Sequence, residues 1–258
     1  MVRSVVRALD VMGALGKARE PMTLAAVARQ VGMHPTTTLR MLESLRVRNM
    51  VRYDGGRYEV GPATLELGRS FLCQISISRF AYEAVEALAA RVDETASVGV
   101  LDEGQVLYIA IARGQRELGI ESVPYARHPL YCTALGKALL ADLPPQRVKA
   151  LLGPSPFERL TANTITDAGR WQAELAKMAA LGYAIDDEER RPGVLCIAAP
   201  VRDHDGKVVA AISVSGPAFR MRRVGLGALA QAVIEAATTT GEKLGAPPPA
   251  PSRANAGS

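Results

Sequence analysis

The chain has 258 residues, 48% of them hydrophobic and 22% charged, and a formal net charge of +5. That length can bury one or two cores, and no apolar run approaches the roughly 20 residues of a membrane-spanning helix, so an integral helical membrane protein is excluded. Cys73, Cys132 and Cys196 are too widely separated for zinc-ligand or disulfide spacing, and Met-Val-Arg-Ser-Val-Val-Arg lacks the apolar core of a signal peptide; the expectation is a cytoplasmic protein with no metal or cofactor.

The charge is unevenly placed. Residues 1–60 hold ten Lys and Arg against five Asp and Glu, and of the totals of 31 and 26 the remainder keeps 21 of each. All of the excess positive charge therefore sits at the N-terminal end, the asymmetry of a nucleic-acid-binding module joined to a neutral domain with another task.

In chain order, Ser4 is a candidate cap for a helix with Val5, Ala8, Leu9, Met12 and Leu15 inward, ending near Gly16. Thr23 caps a short helix bearing Leu24, Val27 and Val31, and Gly32 supplies the left-handed residue that ends it. Pro35 opens a second helix, in which Leu39, Leu42 and Leu45 form the buried stripe. Its free face carries Thr36, Thr37 and Arg40, with Thr38 beside them, near the N-terminus where a helix-turn-helix meets base edges and phosphates. Val51–Val60 then forms two short strands around Asp54-Gly55-Gly56, a hairpin that adds Arg52 and Arg57 and makes the pattern a winged helix-turn-helix. The expected DNA-contacting residues are thus Thr36, Thr37, Thr38, Arg40, Arg52 and Arg57, on duplex DNA.

After Gly61-Pro62, residues 63–80 read as a linker helix, and Ala81 to about Val92 as another. The pattern then turns to period two. Ser97–Leu101 and Val106–Ile111 flank the turn Asp102-Glu103-Gly104, with Leu118–Val123 as a third strand. Helices are expected at Thr133–Leu140, from Pro144-Pro145 to about Leu152 and from Asp167 to Leu181, strands at Tyr183–Ile185, Leu195–Val201 and Lys207–Val214, and a last helix from about Val224 to Leu244. The proline-rich residues 246–258 read as a disordered tail. Hairpins with helices grouped between them indicate an α+β domain, an antiparallel sheet covered by helices.

Longer motifs then become recognisable. Ser4–Leu9, Tyr58–Gly61, Ala134-Leu135-Gly136-Lys137-Ala138, Gly182–Glu189 continuing through Pro192–Val201, and Ser213–Pro217 together resemble the IclR family of transcriptional regulators, over Ser4 to about Leu244. The resemblance implies a winged helix-turn-helix (1–61), a linker helix (62–80) and a GAF-like effector domain (81–245). It also implies a homodimer or homotetramer and leaves the effector unassigned; because one such domain covers too few base pairs, a partly palindromic operator is expected, and the helix start at Thr133 points to a small organic acid as effector. Threonine at 36 and 37, where the family often carries lysine or serine, leaves the bases read here open.

Within that frame Thr133 can cap a helix whose amides at Ala134, Leu135 and Gly136 face an anion. Ser213 and Ser215 share one strand face, Val194 and Cys196 share another on a neighbouring strand, and Asp186 matches the family's effector-contacting position. Lys137 points away from a ligand at that helix start and is read as structural. Two alternatives stand beside this one: an enzyme with Cys196 as nucleophile and His128 or His204 as base, and a DNA-binding regulator without an effector, in which Asp186–Arg191 is a solvated charge run. An apolar strand disfavours an activated thiol, so no enzyme is expected.

Overall fold

The computed structural model describes residues 2–18, 20–74, 77–117, 119–120 and 122–247, without the side chains of residues 69, 71–74, 78 and 79. The chain divides into two compact units, Met1–Ile75 and Ser76–Ser258, each built on its own sheet.

In the first unit α1 (Arg3–Lys17) begins before Ser4, so Val2 is the cap residue and the expected Ser4 cap does not form. Val11, Ala14 and Leu15 are buried, whereas Val5 and Leu9, expected to face inward, are 56% and 64% exposed. β1 (Met22–Thr23) leads into α2 (Leu24–Gln30), where the Thr23 hydroxyl accepts from the Ala26 amide at 3.3 Å. Gly32 at φ +63° then turns the chain into α3 (Pro35–Val47), with Pro35 in the first turn and His34 as its cap.

The buried stripe of α3 is rotated from the expected one. Thr38 and Leu42 are fully buried, and Leu39 is 38% exposed. The Thr38 hydroxyl donates to the His34 carbonyl at 3.2 Å, which satisfies its polar atom and leaves its methyl free to face the core.

β2 (Val51–Asp54) and β3 (Arg57–Val60) pair with Asp54 opposite Arg57, so Gly55 and Gly56 alone make the turn. Both have positive φ, 53° and 83°, the geometry that fits a two-residue hairpin to twisted strands. β1 joins the far side of β3, and Val11, Leu15, Val27, Leu42, Val51 and Tyr58 form the core. Helix α4 (Ala63–Gln74) follows. The linker expected to run unbroken over 62–80 is divided: α5 starts at Ser78, and residues 75 and 76 lie outside the described residues.

The second unit is a six-stranded antiparallel sheet in the order β6-β5-β4-β9-β8-β7. Its elements are α5 (Ser78–Val92), β4 (Thr95–Asp102), β5 (Gln105–Ala112), β6 (Arg127–Pro129), α6 (Ala134–Leu139), α7 (Pro145–Leu152), α8 (Ala168–Leu181), β7 (Ala184–Asp187), β8 (Val194–Arg202), β9 (Val208–Pro217), α9 (Ala218–Val224) and α10 (Leu226–Lys243). One face, through Ala184, Ala198 and Ala211, packs against α6, α7 and α8. The alternate residues, among them Ala199, face α10, and α5 packs beside α10.

One expectation is corrected here and one helix is added. Gly119, Ile120, Ser122 and Val123 are not strand, with Leu118 and Glu121 outside the described residues; β6 takes the edge of β5 instead. Tyr108 gives that edge away by donating to the Ala126 carbonyl and accepting from the Tyr125 amide, just past Pro124, which has no amide to pair. The expected last helix forms as α10, and α9, which the sequence pattern did not mark, precedes it and is ended by Gly225 at φ 100°. Of the proline-rich tail, residues 248–258 lie outside the described residues.

Candidate functional site

Two surfaces gather the chemistry. On α3, the His34 ring accepts from the Thr36 amide at 3.3 Å and so holds the first turn in place. Thr36 and Arg40 are exposed and Thr37 half-buried. Thr38 is withdrawn from this face into the core, so its expected place among the DNA-contacting groups is corrected. On the hairpin Arg52 pairs with Glu59 at 3.5 Å, and Arg57 donates to the Pro21 carbonyl at 3.0 Å, bracing the hairpin while staying exposed.

In the second unit a cavity of about 130 Å³ lies between the sheet, the start of α6, residues Ile120, Ser122, Val123, Ala126 and His128, and the loop that joins β7 to β8. Thr133, Ala134, Leu135, Asp186, Val194, Cys196, Ser213 and Ser215 all line it. Strand register explains the convergence. Asp186 lies opposite Cys196, and Cys196 opposite Ser215, so one row crosses three strands.

Gly136 does not line it. Thr133 Oγ1 accepts from the Gly136 amide at 3.1 Å, and a Cβ on Gly136 would sit 2.3 Å from the Leu130 carbonyl oxygen. It is there for close packing, and only Ala134 and Leu135 keep cap-free amides at the start of a six-residue helix. Lys137 is structural, as expected: it is 1% exposed, donates to the Ile185 carbonyl at 2.8 Å, and pairs with Glu189 and Glu174.

The sequence reading missed Tyr108, His128, Arg190 and Arg191, which also line the cavity. The two arginines close a run whose carboxylates drew attention first. Their placement comes from the loop's scaffold. Asp186 Oδ1 accepts from the amides of Glu189, at 2.8 Å, and Arg190, at 3.4 Å. Thr161 donates to the Glu188 carbonyl at 2.7 Å, Thr164 to that of Glu189 at 2.6 Å, and Asn163 to that of Asp187 at 3.0 Å. Glu188, at φ 60°, accepts from the Gly193 amide at 2.7 Å and closes the turn. So fixed, Arg190 places Nη2 2.8 Å from His128 Nδ1.

Burial, reinforced by Arg190 and Arg191, pushes the His128 ring down to about 4, so it is neutral at pH 7 and accepts from the guanidinium. Burial pushes Asp186 up to about 7 against the pull of its amide donors. The Cys196 thiol is raised by burial and then by Asp186, the opposite of what a nucleophile needs. His204 is exposed beside Asp205. Arg190 has no carboxylate partner among the described residues, and an uncompensated guanidinium in a partly closed cavity attracts an anion. Among the described residues no group of His, Cys, Asp and Glu is placed to hold a metal, and no helix is long and apolar enough to cross a membrane.

Comparison with known proteins agrees with this division. The family described as bacterial transcriptional regulator IclR C-terminal matches residues 70–241, and the IclR helix-turn-helix domain matches residues 4–55. The HTH-type transcriptional regulator BhcR of Paracoccus denitrificans is 35% identical, over 92% of this chain and 85% of its own. The crystal structure of a transcriptional regulator from Rhodococcus sp. RHA1 superposes with a TM-score of 0.84 at 31% identity, covering 95% of this chain and 98% of that one. An IclR homolog from Microbacterium hydrocarbonoxydans, crystallised with 4-hydroxybenzoate, shares the fold, with a TM-score of 0.83 at 22% identity over 93% and 98% of the two chains.

Proposed function

The chain belongs to the IclR family of bacterial transcriptional regulators, and from that premise we propose that its cavity binds a small organic acid whose occupancy changes its affinity for an operator. The observation that carries the reading is Arg190. Its guanidinium reaches the cavity from a loop fixed by Asp186, Thr161 and Thr164, with a neutral imidazole as partner and no carboxylate to cancel its charge. The acid's carboxylate bonds to Arg190, and Ser213, Ser215 and Thr133 supply the few further polar contacts expected of a small-molecule site. Asp186, close to half-protonated near neutral pH, donates to the acid in its neutral form. The acid bound by the Microbacterium homolog is consistent with this ligand class.

The DNA side of the proposal places Thr36, Thr37 and Arg40 in the major groove and the hairpin, with Arg52 and Arg57, along the backbone. The protein acts in the cytoplasm as a homodimer or homotetramer on a partly palindromic operator, because one such domain covers too few base pairs for specificity. The exposed apolar stripe Val2, Val5 and Leu9 along α1 supports α1 as a self-association surface. Occupancy alters DNA affinity only if the acid binds the free and operator-bound states differently, typically by about 1–3 kcal/mol.

The test is calorimetric titration of a panel of organic acids into wild type, Arg190→Ala and Ser215→Ala, with operator release read in parallel. A genuine effector should bind wild type and lose affinity in both variants. Unchanged affinity and unchanged release in both would place the pocket elsewhere.

A further inference from the structure

Helix α3 carries an apolar side chain on the surface that its polar residues share. Its core takes Thr38 and leaves Leu39 38% exposed, although leucine gains more than threonine from burial. Met41 and Leu45 pack at the margin of the core of Val11, Leu15, Val27, Leu42, Val51 and Tyr58, whereas Leu39 is not among the described residues that do so. Turning α3 to bury Leu39 would carry Met41 and Leu45, on the opposite flank, toward solvent. The helix is therefore seated with this leucine outside.

A leucine in solvent is ordinary on its own. The neighbours of this one give it meaning. Thr36, Leu39, Arg40 and Glu43 stand at i, i+3, i+4 and i+7, one continuous strip of the helix surface. Thr36 and Arg40 are exposed, and Glu43, the acid of the strip, is paired with Arg46 at 2.9 Å. A duplex that brings base edges to Thr36 and Arg40 meets Leu39 between them.

The chemistry of base edges then selects the contact. Leucine has neither donor nor acceptor, and among the four bases the major groove offers one apolar group, the C5-methyl of thymine. Against any other edge Leu39 would cover a donor or acceptor without replacing its hydrogen bond to water. We propose that Leu39 packs on the methyl group of one thymine in each half-site and is a specificity-determining residue of the DNA-reading face. This rests on the DNA-binding reading above and adds to it a base identity at one position.

The probe is a duplex selected from a random library by the full wild-type chain, then resynthesised with deoxyuridine in place of each thymine in turn, which removes one methyl and keeps the base pair. At one thymine in each half-site the exchange should weaken wild-type binding about fourfold, the worth of one buried methyl-sized group. In Leu39→Ala, whose side chain is too short to reach the methyl, the same exchange should change affinity by less than about twofold, and Leu39→Met should keep the wild-type preference. The melting temperature of Leu39→Ala should stay at the wild-type value, since the side chain lies outside the core. A structural leucine gives the opposite pattern, a lower melting temperature and equal losses on thymine and deoxyuridine duplexes, and that result overturns the proposal. So does a wild type indifferent to deoxyuridine at every thymine, or a thymine preference retained in Leu39→Ala. Either of these, with selective duplex binding intact, removes only the role of Leu39; a wild type that selects no duplex from the library removes the DNA-binding reading itself.

Discussion

The exposed turn of α3 and the cavity of the second unit arrange their polar groups in opposite ways. On α3, Thr36 and Arg40 stand in solvent with their side chains uncommitted, one turn apart on a helix held by its own cap and core stripe. Behind the cavity the groups that fix its loop are already engaged: Asp186 with two amides, Thr161 and Thr164 with carbonyls, Lys137 with a carbonyl and two carboxylates. A surface that meets a large partner keeps its donors free, whereas a pocket for a small ion spends its hydrogen bonds on holding a few groups in place. Substitutions on α3 should therefore change binding without stability, and substitutions behind the cavity should change both.

The largest effect is expected from Lys137→Ala. It leaves Glu189 and Glu174 facing a void and should cost about 3–5 kcal/mol in denaturant unfolding, with effector binding lost as the loop loosens. Arg190→Ala comes next. It should weaken acid binding by about 1.5–3 kcal/mol, the range of a hydrogen bond to a charged group, and leave the unfolding midpoint nearly unchanged. A large stability loss there would mean that the guanidinium is part of the scaffold and would blur the contrast.

Arg40→Ala should lower operator affinity by about 1–3 kcal/mol if it reads a base, with stability within about 0.5 kcal/mol of wild type. If it touches only phosphate, affinity should fall on every sequence alike and the salt slope should shrink. Footprint titrations at several salt concentrations separate the two.

A further expectation concerns pH. Asp186 is raised to about 7 in the folded protein from an unfolded value of about 3.9, so between these values the folded state holds a proton that the unfolded state has lost. Stability from this group is complete below about pH 4, declines as pH rises toward 7, and changes little above it. Acid binding should weaken over the upper part of the same window as the carboxylate gains charge. Asp186→Asn should flatten both profiles, as read by thermal melts and calorimetry at stepped pH. His128, pushed to about 4, is neutral through most of this range and leaves the upper slope to Asp186.

The two regions also differ in how far they could be read from the chain. Thr23, Gly32, Pro35 and the Gly55-Gly56 turn lie within a few residues of the structure they fix, and each takes the expected role. The exchange of Leu39 for Thr38 in the buried stripe was hidden because a hydroxyl satisfied by the preceding turn behaves as an apolar residue. In the second unit the period-two pattern places Ser213 and Ser215 on one face, and Thr133 caps its helix as its position suggests. Gly136 and residues 118–123 went astray for a shared reason. One is governed by the approach of Leu130, the other by an edge that Tyr125 and Ala126 occupy, and neither neighbour is visible in a local window.

The sequence by itself determined the N-terminal reading unit, the uneven charge, the α+β class and half of the residues that line the cavity, because caps, turns, periodicity and motif spacing act over a few residues along the chain. Only the tertiary structure decided that Arg190 and His128 meet, that Lys137 is locked away and that Asp186, Cys196 and Ser215 form one row. Those facts depend on strand register and on a loop clamped by residues some 25 positions earlier, and desolvation and hydrogen bonding between such segments exist only once the sheet has formed.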